Sequence, residues 1–323
     1  MPRFPFLLAA FLVPVAAAHA DQKQLHEVRA DLDLEAGNPS SQSNLDVQYT
    51  FTPSGIDRRD EVVPPLRRFV RHPSAAWLRG SYDGSFRGSA ASARGGGIAY
   101  LLQGRAHAQG EIGIERVTID YDAHEEGFIS APLRAELGAR PFPLVAVAAH
   151  VRWNPVLDAL SSSNRSPAER SGAEREVGAT LTTAIPGDRL LFSAGVGRNE
   201  IDWTFSGFHP GSVTASGIRA STITSIQASP TLSFQLSLAW RREDWDNRRT
   251  GEQEDGFMKG SLSRRVHGIQ GDLGVTFWFR GRLAFRAALG GGFENPPPIY
   301  YRETGLDKDR PFLKLRLGLT KRY

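Results

Sequence analysis

No cysteine occurs among the 323 residues, so neither a disulfide framework nor a thiolate metal site is available. An exported chain without disulfides must draw its stability from a closed hydrogen-bonded sheet or a large core. Beyond residue 17 there is no long apolar run, which excludes a helical membrane protein. A dense basic stripe is missing too. The 39 Lys and Arg residues stand against 35 Asp and Glu, a formal charge of +4, and they are scattered along the chain. Nucleic acid would need them gathered on one face, so it is not an expected partner. No His/Asp/Glu group has metal-ligand spacing, and no cofactor is expected.

What is present at the start is an export signal. Met1-Pro2-Arg3 supplies a short positive region, Phe4 to Ala17 an apolar run, and Ala18-His19-Ala20 a small-x-small cleavage pattern. The run is short for a spanning helix and lacks a stop-transfer flank. Residues 1–20 therefore read as a cleaved secretory signal peptide, and 21–323 as one domain.

After it comes alternation. In Glu27-Val28-Arg29-Ala30-Asp31-Leu32-Asp33-Leu34-Glu35-Ala36 every apolar residue alternates with a charged one, a pattern only a strand separates onto two faces. The same pattern marks Leu45 to Phe51, Trp77 to Phe86, Ile98 to Ala108, Ile112 to Asp122 and Ala131 to Ala139. It returns at Val145 to Trp153, Val177 to Thr183, Leu190 to Val196, about Ile218 to Ala228, Leu232 to Trp240, Ile269 to Phe279 and Leu283 to Leu289. Between these lie expected loops at 52–74, 87–97, 155–173, 203–216, 241–265 and 294–311, with a surface loop favoured over a helical turn at 65–71 and a helical turn left open within the loop at 156–160.

In the last segment Leu313, Leu315, Leu317, Leu319 and Tyr323 share one face, with Lys314 and Arg316 opposite. This stretch resembles the terminal, insertion-signal strand of bacterial outer-membrane β-barrels. The fold expected is all-β: a transmembrane antiparallel up-and-down barrel of about 14 strands, between roughly 12 and 16. Tight turns at Pro141-Phe142-Pro143, Pro186-Gly187-Asp188, Ser229-Pro230-Thr231 and Arg280-Gly281-Arg282 alternate with long polar connections. That alternation separates a periplasmic rim from an outer one, and the long 52–74 segment is the exception on the periplasmic side. Trp153, Trp240 and Phe293 then lie at outer strand ends, and Tyr49, Phe51, Phe277, Phe279 and Tyr323 at inner ends, two interfacial belts.

Signal peptide, alternating strands and terminal aromatic together resemble a Gram-negative porin. Leu45-Asp46-Val47-Gln48-Tyr49, Pro65-Leu66-Arg67-Arg68-Phe69 and Ser74-Ala75-Ala76 are similar to the early hairpin of an uncharacterised general bacterial porin family. The resemblance implies passive diffusion of small hydrophilic solutes, with outer-membrane lipid, lipopolysaccharide and the barrel-assembly machinery as further partners. It carries no site residues across and leaves the oligomeric state open.

The alternation itself nominates a lumen face. Glu27, Arg29, Asp31, Asp33 and Glu35 line the first strand, Lys314 and Arg316 the last, and Arg286 its neighbour. Closure brings acidic and basic strips together, either as a polarised channel lining or as a salt-bridged wall. Arg105, Asp120, Arg134, Arg152 and Arg241 are further pore-lining candidates. The basic excess predicts a modest anion preference. Two other classes stay open: a surface binding module working through the long loops, and an outer-membrane hydrolase using His107 or His150. Ser161-Ser162-Ser163 lacks a nucleophile elbow, so no catalytic residue is nominated and no enzyme is expected.

Overall fold

The computed structural model describes residues 25–37, 42–52, 74–85, 88–102, 105–121, 124–161, 170–185, 189–206, 210–249, 260–279, 282–294 and 310–323. The expected signal peptide and most of the expected loop at 52–74, including 65–71, lie outside the described residues. Strands β1 (Leu25–Gly37), β2 (Gln42–Thr52), β3 (Ala75–Ser85), β4 (Gly88–Leu101) and β5 (Ala106–Tyr121) come first. They are followed by β6 (His124–Ser130), β7 (Leu133–Phe142), β8 (Val145–Ser161), β9 (Arg170–Ile185) and β10 (Leu190–Phe205). The last five are β11 (Gly211–Ser229), β12 (Leu232–Arg249), β13 (Gly260–Phe279), β14 (Leu283–Glu294) and β15 (Arg310–Arg322).

All pairings are antiparallel, and β1 pairs with β15 from Glu27↔Arg322 to Gly37↔Phe312, which closes the sheet into a barrel. Strands β6 and β7 share both neighbours, β5 and β8, and form one stave. The barrel therefore has fourteen staves, as the alternation predicts. Pro132 breaks that stave because it has no N–H to give a ladder. The wall stays tied there: Ala131 N–H donates to the Pro155 carbonyl at 3.0 Å, and Gly113 N–H donates to the Pro132 carbonyl at 2.9 Å.

Closure without an edge explains the exterior. Leu313 and Leu319, Phe234 to Trp240 at every second position, and Leu273, Phe277 and Phe279 stand exposed. Water would penalise so continuous an apolar surface, whereas a bilayer rewards it; this is the construction of transmembrane barrels. Trp240 pairs with Ile269 and Ile269 with Phe293 along one edge of the band, while Leu232 pairs with Phe277 near the other. The end carrying Tyr323 is called the lower rim below.

Several expected loops are strands. Residues 241–249 and 260–265 extend β12 and β13, residues 155–161 extend β8 where a polar loop is expected, and 88–97 belong to β4. The expected strands at 98–108 and 112–122 are corrected as well: 98–101 end β4, and 106–121 form the single strand β5. The reason is a reversal of polarity above the aromatic belt. Within the bilayer the outward residues are apolar. Beyond it, Arg198, Glu200, Asp202 and Thr204 of β10 face outward and are exposed, while Ile201 and Phe205 face inward and are buried. Strands β8 to β13 thus rise past the lipid as an ordinary water-bathed sheet, and their charged outer residues carry no loop meaning.

The inward side of this extension holds a small core. Ile201 and Phe205 of β10, Val213 and Ala215 of β11, Trp245 of β12 and Val266 of β13 pack together, with Trp203 against them. The Arg170 guanidinium lies 4.3 Å from the centre of the Phe128 ring, 4.6 Å from that of Trp203 and 4.8 Å from that of Phe205, a set of cation–π contacts that caps the cluster. Gly172 reaches a φ of 107° beside it, a backbone conformation that glycine adopts without strain.

Candidate functional site: the lumen wall

Inward positions around the barrel carry charge on most staves, and the structure sorts them into two regions. The first is the closing seam. Register sets Asp33 opposite Arg316, Glu35 opposite Lys314 and Glu27 opposite Arg322. Arg316 donates to both Asp33 oxygens at 2.6 and 2.9 Å, a two-pronged pair, and Lys314 lies 3.5 Å from Asp33. Arg286 reaches Asp31 at 3.2 Å, Arg29 also pairs with Asp31, and Arg322 donates to Glu27 at 2.8 Å. Arg322 further stacks over the Trp278 ring at 3.9 Å. Each arginine of the seam has an acidic partner. On the flank of the seam Arg79 donates to Asp46, and Arg94 lies 3.7 Å from Glu111 and 3.5 Å from Glu115.

The second region is the taller wall, β8 to β13, with the adjoining residues of β5, β7 and β14. Glu243 has a side chain with no exposure, and a buried carboxylate needs donors. Arg219 Nε supplies one at 2.8 Å and Trp245 Nε1 another at 3.1 Å. Arg219 Nη1 also stands 3.5 Å from both Glu174 and Glu176. His150 bonds Glu176 at 3.1 Å and His107 bonds Glu136 at 3.2 Å. Arg134 donates to Glu136 at 3.0 Å and Arg241 to Glu294 at 2.8 Å. Among the described residues Arg152 makes no ion pair.

Between these groups the lumen is hollow. A cavity of about 540 Å³ is bounded by Arg134, His150, Arg152, Glu176, Arg219, Arg241 and Glu294. Its walls include small inward residues, Gly195, Gly197, Ser221, Ala239 and Gly268, which leave the space that larger side chains would fill. A second cavity of about 300 Å³ lies toward the lower rim, beside Arg29, Arg286, Arg316 and Arg322 of the seam. Among the described residues no group of three or more His, Asp or Glu is placed to hold a metal ion.

Of the residues nominated from sequence, Glu27, Arg29, Asp31, Asp33, Arg286, Lys314 and Arg316 come together at the seam, with Glu35 one pair above. Arg134, Arg152 and Arg241 gather at the larger cavity. Leu313, Leu315, Leu317, Leu319 and Tyr323 face outward. Arg105 sits in the turn before β5, at the rim and away from both regions. Asp120 lies outside the residues whose side chains the structure describes. Glu174, Glu176, Arg219 and Glu243 are absent from the sequence-based set. Their signal is a charged alternation that continues past the apolar one on β9, β11 and β12.

The fold and lumen together define a closed, wet-centred transmembrane β-barrel. No family model matches the chain, and no curated protein does. Among solved structures it is similar to an outer-membrane channel of Pseudomonas putida F1, at 10% identity over 93% of this chain and 95% of that one, with a TM-score of 0.49. It is also similar to OmpT, an outer-membrane protein of Vibrio cholerae, at 11% identity over 94% and 99%, TM-score 0.43. A third likeness is to the outer-membrane protein Omp33 of Acinetobacter baumannii, at 12% over 94% and 100%, TM-score 0.41. At such values the fold rests on the barrel's own pairing and exterior, which are described above.

Proposed function

We propose that this chain is an outer-membrane channel through which small hydrophilic solutes diffuse passively, with a modest preference for anions. The observation that carries the reading is a charged lumen containing a cavity of about 540 Å³, enclosed by a barrel whose exterior is apolar. A barrel of this strand number is wider than the eight-strand case that side chains can fill. The four arginines on that cavity against two glutamates support the anion preference. In the same reading the signal peptide exports the chain, the leucine face of β15 engages the barrel-assembly machinery, and the lower rim is periplasmic. The aromatic belts meet lipid, and the charged ring above them meets lipopolysaccharide.

Purified protein in a planar bilayer tests this. A steady open conductance is expected, with a reversal potential in a KCl gradient displaced toward chloride. A silent barrel overturns the channel reading, and a potassium-shifted potential overturns the anion preference alone. One observation favours a second reading, a surface binding module: the extension of β8 to β13 has its own core and so presents a firm outer face. A silent barrel that retains a compact extension supports that alternative. No hydrolysis of peptide or phospholipid is expected, because among the described residues neither His107 nor His150 hydrogen-bonds a serine or threonine hydroxyl that it could activate; their partners are Glu136 and Glu176.

A further inference from the structure

Arg134 and Arg152 are direct cross-strand partners on β7 and β8, and both line the larger cavity. Like charges placed directly opposite each other on a sheet destabilise it. Asp31 and Asp46 oppose each other in the same way beside the seam, as do Arg79 and Arg94, but each of these four has an oppositely charged partner within reach. Here the relief is incomplete. Glu136 takes Arg134 at 3.0 Å. Glu176, the register partner of Arg152 on the other side, is held by His150 and Arg219 instead. Arg152 is left facing the cavity without an ion pair among the described residues, and Arg241 lines the same space.

We propose that this cavity is a discrete binding station for a small oxyanion, phosphate or carboxylate, held between the Arg134 and Arg152 guanidinium groups. The inference rests on the channel reading and names the solute class that the channel would favour. An oxyanion between two guanidinium groups accepts charge-assisted hydrogen bonds from both and removes the repulsion that the empty pair carries. Gly195 and Gly197 supply the room, since inward side chains there would project into the space. The smaller cavity near the seam has no such vacancy of charge: Arg29, Arg286, Arg316 and Arg322 are each committed to Asp31, Asp33 or Glu27.

The test uses the folded barrel with inorganic phosphate and, separately, succinate as probes. Calorimetric titration of the protein in detergent reads binding, and current block in KCl reads passage. Saturable binding of one or both probes is expected, weakened about tenfold in Arg152→Gln, the scale of one charged hydrogen-bonded contact, and largely retained in Arg152→Lys. Arg198→Gln removes an equal charge from the exposed outer face and should leave binding unchanged. Arg152→Gln should also melt no lower than the parent, because it relieves like-charge contact; a residue with only a structural role would lower the melting temperature. Should Arg152→Gln fail to fold, Arg134→Gln reads the same site. Equal affinity in the parent and Arg152→Gln, or an equal loss in Arg198→Gln, overturns the station. A barrel that binds phosphate yet carries no current overturns the channel reading and leaves the station standing.

Discussion

The wall running from β14 through β15 and β1 to β4 is built of strands of 11–14 residues, whereas β8 to β13 run to 16–20. Both walls put charge on the lumen, but they use it differently. On the short wall every seam arginine has an acidic partner across or along the strand, and the result holds β1 to β15. On the tall wall several carboxylates share Arg219, Arg152 stays unmatched, and hydrophobic residues take over inside once the strand leaves the lipid. Charge that is matched residue for residue contributes to closure. Charge left over is what a passing solute can meet.

The contrast is broken most strongly at the core of the tall wall. Trp245→Ala removes an aromatic with 4% exposure and should cost about 3 kcal/mol, as for large-to-small changes in cores. Urea titration of the protein in lipid vesicles measures this, and a change below about 1 kcal/mol would mean the cluster does not act as a core. Asp31→Asn, on the short wall, strips an anion shared by Arg29 and Arg286 and should cost about 2 kcal/mol, less than a fully buried pair because both arginines keep some water. The same titration reads it; no loss would show that closure depends on backbone pairing alone.

Filling the larger cavity sharpens the comparison without touching a charge. A Cβ at Gly195 has as its nearest neighbours the Ser221 and Thr180 hydroxyls and the Ala179 carbonyl, at 3.3, 3.4 and 3.6 Å, so Gly195→Trp should fold and reduce single-channel conductance by roughly half or more, as a narrowed pore does. Unchanged conductance would place the solute path elsewhere. The smallest effect is expected on the outer face: Asp244 pairs with Arg265 at 2.8 Å but both are mostly exposed, so Asp244→Asn should shift stability by less than about 0.5 kcal/mol. A larger loss would give that outer ring a structural weight comparable to the seam.

How much of this the amino-acid order reveals follows from where each segment sits. Lipid demands an apolar residue at every second position, and Leu313 to Leu319 or Leu232 to Trp240 obey so strictly that strand, face and closure are readable. The seam is readable for the same reason, because once the leucines point out, Asp33 and Arg316 must point in. Beyond the belt the rule inverts. Val117 takes the inward phase of Glu115 while Ile112 and Ile114 face out, so an outward assignment of Val117 carries the lipid rule too far along β5. The same inversion makes Arg241 to Arg249 resemble a loop and hides Glu243. Strand β4 is obscured differently: Gly88 to Gly97 carries mostly glycine, alanine and serine, and its place in the sheet comes from its neighbours rather than from its own propensity.

The pairing of β1 with β15 has a kinetic consequence. Every other stave meets a neighbour nearby along the chain, so hairpins can form as soon as their strands exist. Glu27 and Arg322 are 295 positions apart, and bringing such distant segments together carries the largest loop-closure entropy in the molecule. Closure should then be the slow, final step of assembly, and until it occurs two strand edges stand open to mispairing. The complementary acids and arginines along those edges favour the correct partner and register at the moment when the backbone alone would accept many.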